Sequence, residues 1–383
     1  MKSTRSQNTL WVLIGLTLIL ALLLGACQTL APSQEVQAAS LAAAEEASSS
    51  EMQESAEASA PDTDAKAQDS DNDDDDKDKD KDKSSGGPKL ATAKASAKLT
   101  NQPGRAIVSA RGNHFIVDSV PPIEGPNEEL NPLDMMLGSQ ATCALFIAER
   151  VAQEQSIALE DVLVAVEGDL DPSGLAGSGA DPRIQNMRVH LDLPGADETE
   201  AAEIVDNFKV RCPIYTTLSQ ATDIEITVGD ETPSAATEGL ATAKVSAQLS
   251  NQPGRAIVSA RGNHFVIDSV PPLDGPNEER NPLDLMLGAL ATCGTFLFER
   301  SAQELDIPMG EITTYVEGDF NPRGLASQDG SIDPRIQAFR VKIEAEGITD
   351  EQASAMNEQY QQRCPIYTTL QRAAPIEITV STD

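Results

Sequence analysis

The sequence predicts an α+β fold laid down twice in tandem, and three observations predict it. First, the chain repeats itself. Leu90-Ala-Thr-Ala-Lys94 recurs as Leu240-Ala-Thr-Ala-Lys244, Asn101-Gln-Pro-Gly-Arg105 as Asn251 to Arg255, and Cys143 as Cys293, all at an offset of 150 residues. A period of that size is a whole domain and not one unit of a solenoid. Second, each copy sets short strand-like segments around one long apolar segment, in the order βββ-α-ββ-α-α-β. Third, 383 residues suffice for two domains of ordinary size and a remainder.

The remainder is N-terminal. Lys2 and Arg5 precede an apolar run from Leu10 to Leu24 that ends in Leu24-Gly25-Ala26-Cys27, which resembles a bacterial lipoprotein signal. On that reading residues 1–27 are a signal peptide and Cys27 is the lipid attachment site. The chain is then expected in the cell envelope, anchored to a membrane outside the cytoplasm, and Gln28 after the cysteine points to the outer membrane where one exists. An uncleaved membrane helix is the alternative, since the run approaches the ~17 residues that span a bilayer. Residues 28–89 hold almost no large apolar side chains and predict a disordered acidic tether. Within it, Asp71 to Lys83 carries eight Asp and four Lys, but neither the turn Gly nor the terminal Glu of an EF-hand loop. A solvated spacer is therefore preferred to a calcium site.

The elements of each copy follow from local chemistry. Leu90–Leu99, Arg105–Ala110 and His114–Val120 alternate like strands, and Arg111-Gly112-Asn113 joins the last two as a tight turn. In Asn131-Pro132-Leu133-Asp134, an Asn N-cap, Pro at the first helical position and an acid at the third open a helix that runs to about Gln155. Its apolar residues spread nearly all round, which predicts a buried central helix. Strands Val162–Asp169 and Ile184–Leu193 flank a Gly-rich loop, Glu198–Arg211 is an amphipathic helix, Cys212-Pro213 opens a short second helix, and Ile224–Val228 is the last strand. The copies occupy residues 90–228 and 240–383, with 229–239 as linker. After two extra residues in Ser327 to Ser331, Cys212 answers Cys364 at an offset of 152.

Charge excludes one class of partner. The net charge is −33, and residues 28–89 supply 17 acidic side chains against 6 Lys, so most of the excess belongs to the two copies. Such a surface repels phosphate backbones, and nucleic acid is not a partner.

Five cysteines leave two per copy once Cys27 is set aside, 69 residues apart in the first copy and 71 in the second. The octapeptide Arg211–Leu218 recurs unchanged as Arg363–Leu370, although the helix before it has diverged. Cys212 and Cys364 follow an Arg at a helix N-cap, which favours thiolate. Cys143 and Cys293 lie inside the buried helix, where desolvation opposes it. On these environments alone the second cysteine of each pair would be the nucleophile. Two cysteines some 70 residues apart and one His are too few for a zinc site. His114 and His264 read as packing or surface groups, His190 becomes Lys342, and Glu149-Arg150 and Glu299-Arg300 read as surface ion pairs.

Taken together, Asp118-x-x-Pro-Pro, Gly125-Pro-Asn, Asn131-Pro-Leu-Asp, Ala141-Thr-Cys143, Val166-Glu-Gly-Asp169 and Arg211-Cys212-Pro213 resemble the OsmC-like superfamily. That superfamily includes the organic-hydroperoxide-resistance thiol peroxidases. The resemblance covers nearly all of residues 90–228 and again 240–380. It implies an intertwined dimer with one central helix per subunit and sites at the interface, here folded as a pseudo-dimer within one chain. It also reverses the order of the cysteines: Cys143 and Cys293 become peroxidatic, Cys212 and Cys364 resolving. The substrate implied is an organic hydroperoxide and the reductant an external dithiol, with no cofactor and no metal. One departure stands out. Where the hydroperoxide branch carries Glu after the helix Pro, this chain has Leu133 and Leu283; Asp134 and Asp284, one residue on, are explained by capping. Arg105 and Arg255 are chosen as the residues that polarise the peroxide, with Arg111 and Arg261 next. The alternative function is a non-enzymatic envelope protein with structural Cys143–Cys212 and Cys293–Cys364 disulfides, or a hydrophobic-ligand binder.

Overall fold

In the computed structural model, which describes residues 90–382, the first copy runs β1 (Ala91–Leu99), β2 (Arg105–Ala110), β3 (Asn113–Asp118), α1 (Pro132–Gln155), β4 (Leu163–Leu170), α2 (Pro172–Leu175), β5 (Asn186–Asp192), α3 (Glu198–Arg211), α4 (Pro213–Leu218) and β6 (Asp223–Val228). The second runs β7 (Ala241–Leu249), β8 (Arg255–Ala260), β9 (Asn263–Asp268), α5 (Pro282–Glu304), β10 (Ile312–Phe320), β11 (Ile336–Ala345), α6 (Asp350–Arg363), α7 (Pro365–Leu370) and β12 (Ile376–Ser381). Each copy thus has the expected α+β order. Added to it are single turns in segments read as loops, at Pro121–Ile123, Pro172–Leu175, Pro271–Leu273 and Pro322–Ala326. The signal, Cys27 and the tether lie outside the described residues.

The sheets do not respect the repeat boundary. One has the strand order β12-β11-β10-β1-β2-β3 and the other β6-β5-β4-β7-β8-β9, so each takes three strands from each copy. The seams are antiparallel: β1 on β10 from Ala91 opposite Phe320 to Lys98 opposite Thr313, and β4 on β7 from Leu163 opposite Gln248 to Leu170 opposite Ala241. Helix length explains the exchange. The 24 residues of α1 extend about 36 Å at 1.5 Å per residue, which carries β4 away from β1–β3 and onto the other sheet. The repeat units 90–228 and 240–383 are therefore units of sequence and not of space.

The motif Glu167-Gly168-Asp169, with its counterpart Glu317-Gly318-Asp319, fastens these seams. Arg188 forks onto Asp169 at 2.7 and 2.8 Å, Thr242 of the second copy donates to the same carboxylate, and Lys244 pairs with Glu167. The linker covers this seam, with the Thr237 N–H also donating to Asp169. Across the other seam, Arg340 and Thr92 hold Asp319 and Lys94 pairs with Glu317. Arg188 holds the Asp169 carboxyl far below the usual carboxylate range; Arg340 and Thr92 bring Asp319 down to about 2.

Between the sheets lie α1 and α5, buried along most of their length. They approach closely at Gly288, where a Cβ would meet Met135 Cε of α1 at 2.6 Å. Both start as the sequence indicates. The Asn131 side chain accepts the Asp134 N–H and Asp134 returns a bond to the Asn131 N–H, with the same box at Asn281 and Asp284. Helix α5 is long and apolar enough to cross a membrane, but its apolar stretch is 89% buried within the protein, which marks it as a core helix.

Candidate active site between the two copies

Cys143 sits midway along α1, and Cys212 is the extended residue at which α3 ends and α4 begins. Pro213 at the first position of α4 sets that break, and the Tyr215 N–H donates to Cys212 Sγ at 3.2 Å. The two sulfurs are joined: Cys143 to Cys212 with Cα atoms 6.0 Å apart, and Cys293 to Cys364 at 6.1 Å, both ordinary disulfide separations. Each pair lies within one copy.

The surroundings of each pair come largely from the other copy. Cys143, Phe146 and Pro213 of the first copy, with Ser269, Val270, Leu273, Pro282, Leu283 and Leu325 of the second, enclose a cavity of about 20 Å³. The mirror cavity, also about 20 Å³, brings Cys293, Phe296 and Pro365 against Ser119, Val120, Ile123, Pro132, Leu133 and Leu175. Each is room for about one water-sized group, and no charged side chain lines either. Leu133 and Leu283, the departures from the hydroperoxide branch, are walls of these cavities. A larger groove of about 560 Å³ adjoins the Cys143 cavity and shares Val270, Asn281, Leu283 and Leu325 with it. The groove adds Ala91, Ala93, Phe320, Lys94 and Arg111.

The arginines occupy two kinds of position. Arg105 forks onto Asp118 at 2.6 and 2.8 Å and reaches Glu128 at 2.9 Å; Arg255 does the same with Asp268 and Glu278. Burial alone would raise the Asp118 and Asp268 carboxyls. Their arginines and two backbone N–H groups outweigh it and hold both below the usual range. Arg105 and Arg255 brace the loop of their own copy and line neither cysteine cavity. Arg111 and Arg261 instead cross between copies: Arg111 Nε donates to Asp284 at 2.9 Å and Arg261 to Asp134 at 3.0 Å, at the helix N-termini. Arg111 also lines the larger groove.

Glu149 is not paired with Arg150. It accepts the Gly254 N–H of the other copy, and burial pushes its carboxyl up; Glu299 does the same with Gly104. Arg150 turns to Glu154 and to Asp274 across the copy boundary, and Arg300 to Glu304 and Glu124. His114 and His264 bond Ser109 and Ser259 on the neighbouring strand, and His190 bonds Thr227. Among the described residues no group of three or more His, Cys, Asp or Glu is placed to hold a metal ion.

Sequence reasoning passed over Leu175, Leu325, Glu154 and Glu304. The leucines lie in loops read as irregular, and they wall a cavity whose cysteine belongs to the other copy. The glutamates left a signal: each stands eleven residues after a helix cysteine, in both copies, and meets the arginine of the unchanged octapeptide.

The family model described as OsmC-like protein matches residues 125–227 and again 275–379. Several solved structures are similar to single copies. An OsmC like protein from Mycoplasma pneumoniae is 19% identical, covering 38% of this chain and 99% of that one with a TM-score of 0.29. An organic hydroperoxide resistance protein from Elizabethkingia anophelis is 19% identical over 36% of this chain and 94% of its own, TM-score 0.28. The organic hydroperoxide resistance protein of Bacillus subtilis is 17% identical over 37% and 97%, TM-score 0.27. A search of the curated proteins found no match. With its family model matched twice over more than half of its length, the chain belongs to the OsmC-like proteins, as a tandem duplicate.

Proposed function

We propose that the protein is a cysteine-based peroxidase that reduces organic hydroperoxides at two sites per chain. The observation that carries this is the placement of a helix cysteine, bonded to a second cysteine, at the wall of an apolar cavity closed by the other copy. After reduction, the Cys143 thiolate attacks the terminal peroxide oxygen; the O–O bond breaks, and the alkoxide takes a proton and leaves as alcohol. The sulfenic acid condenses with the Cys212 thiol, forming the disulfide and releasing water. A dithiol returns both sulfurs to the reduced state. Cys293 and Cys364 do the same. The Tyr215 and Tyr367 N–H groups, at 3.2 and 3.1 Å from Cys212 and Cys364, stabilise the resolving sulfurs as thiolates. Anchorage outside the cytoplasm through Cys27 is part of the proposal and is supported by the signal-like residues 1–27.

A second reading is favoured by one feature, the small size of the cavities: the disulfides would then be permanent staples of an envelope protein. Reducibility separates the two. Under the peroxidase reading, Cys143→Ser with Cys293→Ser abolishes dithiol-dependent loss of alkyl hydroperoxide, and turnover unchanged in that variant sinks it. Under the staple reading, the same variant lowers the melting temperature and there is no activity to lose.

A further inference from the structure

The octapeptide Arg211–Leu218 reaches across to the other copy twice. Arg211, fully buried, donates from Nε to the carbonyl oxygen of Leu325 at 2.8 Å and from its two terminal nitrogens to Glu154 at 2.8 and 3.1 Å. Thr217 Oγ1 accepts the Ile336 N–H at 2.9 Å. The second copy mirrors it: Arg363 binds the Leu175 carbonyl at 2.9 Å and Glu304 at 2.6 and 3.2 Å, and Thr369 accepts from Ile184 at 3.0 Å. Leu325 and Leu175 are walls of the Cys143 and Cys293 cavities. The side chain next to each second cysteine thus fastens the wall in front of the first.

Stability does not explain this arrangement well. Taking Arg and Glu out of water costs about as much as their attraction returns, yet both copies keep the pair while the rest of α3 and α6 has drifted. We propose that Arg211 and Arg363 are positioning residues that hold these walls shut, and so set how fast an external thiol reaches Cys143 and Cys293. The proposal rests on the thiol chemistry put forward above. Cys143 lines its cavity whereas Cys212 is fully buried and does not. The incoming thiolate therefore attacks Cys143 Sγ, a mixed disulfide forms there, and the electron pair of the broken S–S bond leaves on Cys212. A second thiolate attacks the sulfur of the bound thiol, releasing the small disulfide and the Cys143 thiolate, and both protein thiolates take protons from water. The walls are not fastened equally. Gln328, in the loop that is two residues longer in the second copy, adds a bond to Glu154 at 2.8 Å. Among the described residues, Glu304 is held by Arg363 and Arg300 alone.

The test is site-resolved. Oxidised full-length protein is treated with 2-mercaptoethanol or with glutathione, quenched, differentially alkylated, and each disulfide is followed by peptide mass. In the parent protein Cys293–Cys364 is reduced faster than Cys143–Cys212. Arg211→Met speeds reduction of Cys143–Cys212 by glutathione about tenfold, as loss of charge-assisted hydrogen bonds implies, and leaves Cys293–Cys364 within about twofold. The gain is smaller with 2-mercaptoethanol, Arg211→Lys recovers part of the protection, and Arg363→Met gives the mirror result. Equal acceleration at both disulfides, or none at the near one, overturns the proposal. Should Arg211→Met not fold, Leu325→Ala carries the test: it trims the same wall without touching the arginine, and an unchanged rate at Cys143–Cys212 overturns the proposal equally. Peroxide is not read, so disulfides that are selectively gated in a protein inert toward hydroperoxide would refute the peroxidase activity and not the gating.

Discussion

Cys143 and Cys293 face cavities of the same size with matching walls: Phe146 against Phe296, Pro213 against Pro365, Leu283 against Leu133, Leu325 against Leu175. Behind the two cysteines the match ends. Ala144, Leu145, Val164 and Phe208 of the first copy become Gly294, Thr295, Thr314 and Tyr360 in the second, all buried, with Thr314 and Tyr360 packed around Gly294. There Thr295 donates to Thr314 at 2.9 Å, and the Tyr360 hydroxyl has no partner among the described residues. The reverse occurs one turn before the cysteine. Gln140 is fully buried with both amide atoms unpartnered among the described residues, and its counterpart is Leu290. Duplication has therefore held the cavity walls to one chemistry while the packing behind them has drifted. The walls face the cysteine cavities and the packing does not.

Exchanging the packing behind the cysteines should have the largest effect. Leu145→Thr should cost about 2–4 kcal/mol, because it empties volume and brings a hydroxyl against Val164. Adding Val164→Thr should return about 1 kcal/mol by recreating the Thr295–Thr314 bond. Denaturant melts of the two variants measure this; a double variant no better than the additive sum contradicts the reading of the rear faces as locally matched sets.

The seams give the next effect. The Arg188–Asp169 pair is almost wholly buried, whereas Arg340 and Asp319 are partly exposed. Asp169→Asn should cost about 2 kcal/mol by leaving the buried Arg188 to pair with the partly exposed Glu167, and Asp319→Asn about 1 kcal/mol or less. Both carboxyls are depressed in the folded state, so each stabilises fully above the unfolded carboxylate pKa of about 4. That contribution fades as the pH falls, for Asp319 between about 4 and about 2. Stability against pH in the two variants should lose this acid dependence in proportion, and equal losses at both seams contradict the burial argument.

A smaller change has the opposite sign. Gln140→Leu removes two unsatisfied polar atoms at nearly constant volume and should stabilise by about 1–2 kcal/mol. A melting temperature that falls instead would mean Gln140 has a partner that the fold does not reveal.

Local chemistry made the elements legible. The Asn131 and Asn281 caps and the length of α1 follow from a few side chains and an apolar run, and they appear as read. Strand pairing was not legible from the same residues. Which of β4 and β10 lies beside β1 is decided by where a long helix delivers the chain, and both strands carry nearly the same Val-Glu-Gly-Asp pattern. For the same reason Leu175 and Leu325 were not legible as cavity walls, since each belongs to the copy that does not supply the cysteine. Octapeptide Arg211–Leu218 stood out as unchanged, but its target at Leu325 is 114 residues away and becomes a neighbour only through the exchange.

Each copy is proposed to hold a working peroxidatic pair. Fully reduced protein, kept free of air, is mixed with excess cumene hydroperoxide in the absence of any other thiol, and the alcohol formed is counted against the disulfides that appear. Two pairs per chain predict two alcohols per chain, with Cys143–Cys212 and Cys293–Cys364 both re-formed. Hydroperoxide left intact while all four thiols stay reduced would contradict it.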